Sequence, residues 1–472
     1  MGNRRKFSNI GNMAKNVSIV FVNNVITLLK GLLVSFMLPK ILSMPEYSEY
    51  KIFALYISYV GLFHFGLVDG ICVRLAGKTV EEIGESRIRM YTRLLLILEV
   101  IISAALVVIA GFLVSSSYYW IVFFVALYTV IHNMHMYILS VMQITMQFKK
   151  YTYVGVMNNV VQLFVVLILW MFSKFEMATG NSYIALFIFG EAVTLAYSMI
   201  QIPNLFFGGT EKIRENYREI RDMLAAGIPL LAAGIVATLI LNIGRQFVSA
   251  LYSKEDYAIY AFTYSITQLI TTLISALSIV LYPSLKKSDE DTMRDSYGVL
   301  TMGIAVMVFG VFVFSPVLDV FIKWFLPQYE HSLVILDCIF PSMVTISILQ
   351  IVIVNYYKAL EKTTWYLCVS IGALLVSFLL NVLGHRMWGQ MEAIALVSVV
   401  TCFLWYIASD IMIRKKLGIK KGVGSYVLIL TLAYTGLSLF VQMEKHWISD
   451  GLYAVVYIVY TALTLYKWKK VR

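Results

Sequence analysis

The chain consists of long runs of apolar residues that carry almost no charge and are separated by short polar connectors. An α-helix needs about 20 such residues to cross the hydrocarbon core of a bilayer. Only helices and closed barrels satisfy every backbone polar group in hydrocarbon. The runs are unbroken rather than alternating, which argues against an outer-membrane barrel. The sequence therefore predicts an all-α polytopic membrane protein.

The composition supports this fold class and excludes a soluble globular enzyme. Of the 472 residues, 60% are hydrophobic and only 14% are charged, whereas a soluble domain carries roughly 25% charged residues. So few charges could not cover so much apolar surface. Fourteen spans are predicted, near residues 16–38, 52–73, 91–113, 118–142, 152–172, 183–203, 225–248, 258–282, 298–322, 333–357, 365–384, 392–413, 425–443 and 451–467.

The distribution of cations predicts which connectors lie in the cytoplasm. With the N-terminus inside, 29 of the 38 Lys and Arg residues fall in inside connectors, 7 fall in outside connectors, and Lys30 and Arg245 lie within spans. Cytoplasmic loops of membrane proteins carry this excess of cations. The asymmetry predicts that both termini are cytoplasmic. It also accounts for the net charge of +11 without a nucleic-acid partner.

The longest cytoplasmic connection divides the spans into two groups of six, with two spans left at the end. Ile213, Tyr217, Ile220 and Leu224 share one helical face there, which favours an interfacial amphipathic helix, with a plain solvated linker as the alternative. The predicted organisation is an N-lobe at 1–203 with spans one to six, an amphipathic linker at 204–224, a C-lobe at 225–413 with spans seven to twelve, and spans thirteen and fourteen at 414–472.

A weak internal repeat relates the two lobes at an offset of 210 residues. Each copy joins an outward span to its return span. The aligned residues are Ser43, Glu46, Tyr47 and Tyr50 in the first copy and Ser253, Asp256, Tyr257 and Tyr260 in the second. The pattern predicts parallel repeats related by an axis along the membrane normal.

Polar and ionisable residues inside the spans form the candidate site. A charge at the bilayer centre costs roughly 2.5–3.5 kcal/mol on insertion scales, so such residues usually serve a function. Lys30 and Arg245 are the candidate cations for binding a substrate, with snorkelling to the interface as the alternative for Arg245. The predicted coupling or polar cavity residues are Glu191, His64, His132, Asp69, Asn242 and Gln246.

Motifs for a metal, a cofactor or nucleotide hydrolysis are weak or absent. The sequence has no GxxxxGK[ST] phosphate loop. Asp289-Glu290-Asp291 resembles an acidic motif of glycosyltransferases, but a solvated acidic turn is the favoured interpretation. His132 and His135 lie three apart on one helix with no cysteine or carboxylate nearby in sequence, which favours polar packing or a proton relay over zinc. We predict no metal and no cofactor. Transport must then run either on an ion gradient, with H⁺ or Na⁺ as the candidate coupling ions, or on the gradient of the cargo.

Several stretches resemble one family of membrane proteins. Residues 42–50, which read Leu-Ser-Met-Pro-Glu-Tyr-Ser-Glu-Tyr, are similar to the L-G-x-x-x-[FY]-G-x-[YW] junction of bacterial polysaccharide flippases. Residues 66–76, Pro283 and residues 326–329 are similar to the counterparts that end span two, close span eight and precede span ten. Ser43, Ser48 and Pro327 stand where that family usually has glycine.

The family is the Wzx-type O-antigen flippase group, in the polysaccharide branch of the multidrug/oligosaccharidyl-lipid/polysaccharide exporter superfamily. The resemblance implies two six-helix lobes around a central cavity, alternating access and a place in the bacterial inner membrane. It implies an undecaprenyl-pyrophosphate-linked oligosaccharide as cargo, an O-antigen or capsule repeat unit. The implied partners are the lipid bilayer, this polyprenyl-linked oligosaccharide and other polysaccharide-assembly proteins.

Two alternatives are open from the sequence. A drug/cation antiporter of the same superfamily should line its cavity with acids rather than cations. An O-antigen polymerase or ligase would need a sizeable periplasmic loop with catalytic groups, and each predicted outside connector has about a dozen residues or fewer. The sequence therefore predicts a transporter rather than an enzyme.

Overall fold

The structure is a computed structural model that describes residues 26–286, 288–441 and 446–471. The described residues are almost entirely helical and contain no β-strand. They fold as two compact units, unit 1 ending at Thr238 and unit 2 beginning at Leu239. The all-α class predicted from the unbroken apolar runs is confirmed. The first ten residues of predicted span one, 16–25, lie outside the described residues.

Within the described residues, unit 1 consists of eight helices and the first part of a ninth. They are α1 (26–41), α2 (Met44–Ile57), α3 (Leu67–Leu75), α4 (Val80–Ile83), α5 (Glu85–Leu113), α6 (Ser116–Ile144), α7 (Phe148–Ser173), α8 (Gly180–Gln201) and α9 (Tyr217–Leu251). Short 3₁₀ turns cover Val60–His64 and Pro203–Leu205. Helix α6 packs against α5, α8 and α2, and α7 packs against α8.

The residue spacing of α5 shows why a spanning helix in this unit has one buried face. Ile88, Tyr91 and Leu95 recur at intervals of three and four, so they lie on one side of the helix, and all three are buried in the core of unit 1. Ile101 and Val108 are more than half exposed. In a membrane protein such apolar exposure faces lipid, which solvates apolar side chains as well as the core does.

Predicted span two is broken in the middle. Helix α2 and the 3₁₀ turn Val60–His64 meet α3 at an angle of 59°. Phe65 (φ 47°) and Gly66 (φ 78°) both adopt the left-handed conformation at the break. A side chain on Gly66 would collide with the backbone of Gly227 in α9, because its Cβ would lie 2.6 Å from the Gly227 carbonyl carbon. The break therefore depends on two glycines in contact.

The connection between α8 and α9 is anchored on the start of α5. Arg89 donates to the carbonyl oxygens of Gly209 (2.7 Å) and Asn204, and Arg93 donates to the carbonyl oxygen of Gly208 at 3.1 Å. Helix α9 begins at Tyr217, so the second half of the predicted linker 204–224 is continuous with predicted span seven rather than a separate helix. In the first half, these guanidinium groups satisfy the carbonyls of Asn204, Gly208 and Gly209.

Unit 2 begins within α9 and contains nine further helices in its described part. They are α10 (Lys254–Lys286), α11 (Glu290–Phe312), α12 (Ser315–Phe325), α13 (Ser332–Ile348), α14 (Val354–Ala359), α15 (Thr363–Trp388), α16 (Met391–Leu417), α17 (Gly424–Val441) and α18 (His446–Val471). A π-helical turn, Leu349–Ile353, joins α13 to α14. Helix α13 packs against α10, α11, α16 and α17, so it forms the centre of the unit.

The internal repeat corresponds to the same local structure in both units. Ser43 caps α2 through a reciprocal capping box with Glu46, whose carboxylate accepts from the Ser43 backbone and hydroxyl at 3.3 and 3.0 Å. Before α10, the Ser253 backbone N–H donates to the Asp256 carboxylate at 3.4 Å, and the Asp256 backbone N–H donates to the Ser253 hydroxyl oxygen at 3.1 Å. The tyrosines that follow each cap are buried. The shared sequence pattern, a serine followed three residues later by an acid, thus encodes a capped helix start, and two buried tyrosines follow it.

Among the described residues, ten helices are long and apolar enough to cross a membrane, and the bent pair in unit 1 would make eleven. The multi-pass class is confirmed, and the number fourteen stays a prediction. Predicted span eight lies within α10, and residues 425–441 of predicted span thirteen lie within α17. Residues 442 and 443 of that span lie outside the described residues. Predicted span nine, 298–322, is two helices, since α11 ends at Phe312 and α12 begins at Ser315.

Candidate functional site

An acid–imidazole cluster lies inside unit 1, formed by Glu191, His135, Asn158 and Gln162. Oε2 of Glu191 lies 3.2 Å from Nδ1 of His135. Its other oxygen, Oε1, accepts from Nδ2 of Asn158 at 3.0 Å and from Nε2 of Gln162 at 3.4 Å. Glu191 is only 7% exposed. A buried carboxylate needs such donors, because desolvation without hydrogen bonds costs several kcal/mol.

Helical spacing explains how three helices supply these groups. Asn158 and Gln162 are four apart on α7, so both face α8 from one side of the helix. His132 and His135 are three apart on α6. Tyr128, one turn before His132, stacks on its ring at 4.8 Å between centroids and hydrogen-bonds its Nδ1 at 2.9 Å. The cluster therefore extends along α6.

Two of the predicted site residues border this cluster. The charge of Glu191 acts electrostatically on Lys30 of α1 and on His132. Asn159 of α7 donates to the Thr27 hydroxyl at 2.9 Å, which fixes α1 against α7 one turn before Lys30. The structure thus places Lys30 near a carboxylate, whereas the sequence analysis predicted a cation that is available to the substrate.

A second group of predicted residues lies at the break in span two. Nε2 of His64 is 4.0 Å from Oδ2 of Asp69. The backbone N–H of Gly66 donates to Nδ1 of His64 at 3.1 Å, so Nδ1 is the acceptor and Nε2 carries the hydrogen that faces Asp69. Both side chains line a cleft of about 240 Å³, together with Gly234 and Thr238 of α9. We call this the break cleft.

Sequence reasoning missed one buried acid. Glu99 of α5 is fully buried and accepts a hydrogen bond from Nδ2 of Asn133 at 2.9 Å. The same Asn133 nitrogen donates to the carbonyl oxygen of Val60, also at 2.9 Å. The signal for Glu99 is present in the sequence, since it is a lone carboxylate within the apolar run 94–102.

Arg245 lies in a pocket of unit 2. It is 7% exposed, its guanidinium carbon lies 4.7 Å from the centroid of the Tyr264 ring, and Nη1 donates to Oδ1 of Asn242 at 3.0 Å. The adjoining cavity of about 20 Å³ is also lined by Tyr260 and Cys402, and it has room for about one water molecule. Gln246 is half-buried and is not among the residues that line this cavity.

The acidic triplet that resembled a sugar-nucleotide motif forms an exposed helix start. Asp289 caps α11 by accepting from the Thr292 backbone at 3.0 Å. The hydrogen bond from Thr292 lowers the pKa of Asp289 below its ordinary value. The other two acids pair with cations, Glu290 with Lys416 at 3.3 Å and Asp291 with Arg294 at 3.0 Å. This segment is therefore the solvated acidic turn that the sequence predicted.

Comparison with known proteins identifies the family and the fold. A family model of polysaccharide biosynthesis proteins matches residues 13–329, most of the chain. The polysaccharide-exporter resemblance of the sequence is confirmed at this level. No curated protein matches this sequence.

The fold is similar to solved transporters and flippases. The lipid II flippase MurJ in an inward closed conformation superposes with a TM-score of 0.69 at 12% identity, covering 97% of this chain and 100% of that chain. An inward-facing multidrug resistance MATE family transporter of the MOP superfamily gives 0.61 at 13% identity, with 84% and 94% covered. A point mutant of the Vibrio cholerae MATE transporter VcmN gives 0.55 at 13% identity, with 87% and 98% covered. These neighbours are not enzymes, and at such identities the likeness establishes the fold alone.

Proposed function

The chain belongs to the polysaccharide biosynthesis protein family, and from this membership we propose that it is a flippase. Its cargo in this proposal is an undecaprenyl-pyrophosphate-linked oligosaccharide, an O-antigen or capsule repeat unit, that crosses a bacterial inner membrane by alternating access. Both termini lie in the cytoplasm. The sugar head and the pyrophosphate of such a lipid cannot cross hydrocarbon unaided, since polar and charged groups there lose their hydration.

The observation that carries this proposal is the fixed, buried guanidinium of Arg245. A cation inside a membrane-spanning helix is costly and usually serves transport or binding. Tyr264 and Asn242 hold this one in place at 4.7 and 3.0 Å. Its planar fork can donate two parallel hydrogen bonds to a phosphate oxygen pair. Snorkelling to the interface would not need such a pocket, so the pocket favours a binding role.

Cargo binding at Arg245 requires this pocket to open. The cavity of about 20 Å³ beside Arg245 accepts a water molecule, whereas a pyrophosphate is several times larger. Alternating access supplies such opening, because a transporter exposes its site in steps. We therefore assign the present structure to a state in which the anion site is closed. Lys30 would be the second cation, and protonation of Glu191 would remove the negative charge that acts on it.

The proposal is tested by surface polysaccharide production in cells that depend on each variant, at matched protein levels. Arg245→Ala and Lys30→Ala should each lose surface polysaccharide while the protein still inserts. Arg245→Lys keeps the charge but loses the fork, so it should be partly active. Arg386→Ala, at an exposed position near the end of α15, is the matched control and should be normal. Normal polysaccharide in both test variants would overturn the anionic-cargo proposal.

A drug/cation antiporter is the second candidate, and the acids of unit 1 favour it. Glu191 and Glu99 are buried, and Asp69 lines the break cleft, which is the acid-lined arrangement expected for a cationic substrate. The two candidates differ in one measurement. Efflux of a lipophilic cation that is lost in Glu191→Gln but retained in Arg245→Ala would select the antiporter, and loss of polysaccharide in Arg245→Ala without cation efflux would select the flippase.

A further inference from the structure

We infer that Glu99 is a proton-binding site that controls the break in the second span, whatever cargo the protein carries. Glu99 lies on α5, outside both the acid–imidazole cluster and the break cleft. Its side chain is fully buried. One residue, Asn133, connects Glu99 to the break. The side-chain amide of Asn133 donates hydrogen bonds to the Glu99 carboxylate and to the Val60 carbonyl oxygen.

The two carboxylate oxygens of Glu99 differ in their hydrogen bonds. Oε1 of Glu99 accepts from Asn133 at 2.9 Å, and Oε2 has no hydrogen-bond partner among the described residues. Glu191, in contrast, has three donors on its two oxygens. An ionised carboxylate is stabilised by two or three such donors. Glu99 lacks them, so in this conformation the neutral acid is the form that its surroundings accept.

Of the residues described, no charged group acts on Glu99 electrostatically. The titratable groups on the elements that pack against α5 contact other partners. Those groups are Tyr128 with His132, His135 with Glu191, Tyr137 with Thr92, His64 with Asp69, and Glu81 and Glu82 with Thr79. At the start of α6, Tyr118 interacts with Tyr56 and the Tyr119 ring lies against Trp120. Glu85 of α5 pairs with Arg89. On α5 itself, Arg87, Arg89, Tyr91 and Arg93 bind the segment 204–219.

Asn133 links the Glu99 carboxylate to the break. Its one amide nitrogen has two hydrogens, one for Glu99 and one for the Val60 carbonyl. Val60 begins the 3₁₀ turn that ends at His64, directly before the left-handed pair at the break. Ionisation of Glu99 brings a charge that must attract water or a further donor, and the amide that already reaches this carboxylate is the one that also holds Val60. Losing the proton therefore loosens the break, and binding it restores the hydrogen bond to Val60.

The direct test is the infrared spectrum of the purified full-length protein in lipid at neutral pH. A protonated carboxylic acid has a C=O stretching band that a carboxylate lacks. Glu99→Gln should remove that band, and Glu191→Gln, the matched control, should leave it. Asn133→Leu keeps the acid but removes its hydrogen bond, so it should shift the C=O band. If Glu99→Gln does not fold, this shift tests the assignment in its place. An unchanged band in Glu99→Gln or in Asn133→Leu would overturn the assignment.

The link to the break is tested by hydrogen–deuterium exchange of residues 58–70. Wild type and Glu99→Gln are compared at the same pH, so the intrinsic pH dependence of exchange cancels. At alkaline pH the wild type should exchange several-fold faster in this segment than Glu99→Gln, while Glu191→Gln follows the wild type. Equal exchange in wild type and Glu99→Gln at every pH would show that Glu99 does not control the break. Both measurements are independent of transport, so they stand apart from the flippase proposal.

Discussion

Nδ1 of His135 lies 3.2 Å from Oε2 of Glu191, and both side chains are buried inside unit 1. In unit 2, helix α16 comes directly after the long helix α15, just as α8 comes directly after α7 in unit 1. Cys402 of α16 lines the cavity beside Arg245. The two units share a repeat, but the buried site of unit 1 holds a carboxylate and that of unit 2 a guanidinium. A transporter that couples a cation to an anionic cargo can use such a division, with one ligand bound in each unit.

Glu191→Gln should abolish the response of transport to the proton gradient while leaving the protein folded. The amide preserves the shape and can still contact His135, but it cannot bind and release a proton. Flipping in sealed vesicles, with and without a protonophore, measures this response. Full sensitivity to the protonophore in Glu191→Gln would exclude Glu191 as the coupling group.

Tyr264→Leu should weaken cargo binding at Arg245, since it removes the ring that lies against the guanidinium. A cation–π contact contributes about 0.5–2 kcal/mol, which corresponds to a loss of activity of up to roughly thirty-fold at limiting cargo. Tyr264→Phe keeps the ring and is the matched control. Surface polysaccharide at low expression measures the effect, and equal output from the two variants would argue against a role for the ring.

Gly227→Ala should destabilise unit 1 through a backbone collision. A Cβ at this position would collide with the carbonyl oxygen of Gly66, and overpacking of this kind costs about 1–3 kcal/mol or more. Gly234→Ala lies two turns further along α9 and meets nothing within 4 Å, so it should fold normally. Thermal unfolding in detergent compares the two, and equal melting temperatures would contradict the close approach at the break.

Arg89→Ala combined with Arg93→Ala should release the segment 204–216 from α5. These guanidinium groups hold the backbone carbonyls of Asn204, Gly208 and Gly209, and unpaired carbonyls gain by exposure to water. Limited proteolysis should then cut this segment several-fold faster than in wild type. The control is Arg74→Ala, at an exposed position on α3, and unchanged cleavage in the double variant would show that the arginines do not anchor the segment.

Reporter fusions test the predicted topology. Fusions at Lys150, Lys287 and Lys421 should report the cytoplasm, and fusions at Ser116, Lys254 and Lys445 the periplasm. Lys287 and Lys445 lie outside the described residues. A periplasmic signal at Lys421 would contradict the fourteen-span prediction.

Several features of the site were accessible from the sequence because they depend on spacing along one element. Glu191 and His132 stand out as ionisable residues within apolar runs. The serine and acidic residue three apart at 43–46 and 253–256 satisfy the backbone at a helix start, which is a local requirement. Each of these predictions follows from hydrophobicity or from helical periodicity, and both act within a few residues.

The partners of those residues were decided by tertiary packing. Whether the charge of Glu191 acts on Lys30, whether Asn133 bonds Glu99, and whether Tyr264 lies over Arg245 depend on how separate helices pack.

The break in span two belongs with these tertiary features, because the apolar run through Phe65 and Gly66 gives no local signal that distinguishes a bent helix from a straight one. It required the close approach of Gly66 and Gly227. The sequence by itself determined the membrane class and the approximate positions of the described spans, and it singled out Glu191, Arg245 and Asn242 among the buried polar groups, because transfer from water to hydrocarbon is a property of each segment. The tertiary structure alone decided which of those groups meet, because that depends on the packing of one helix against another.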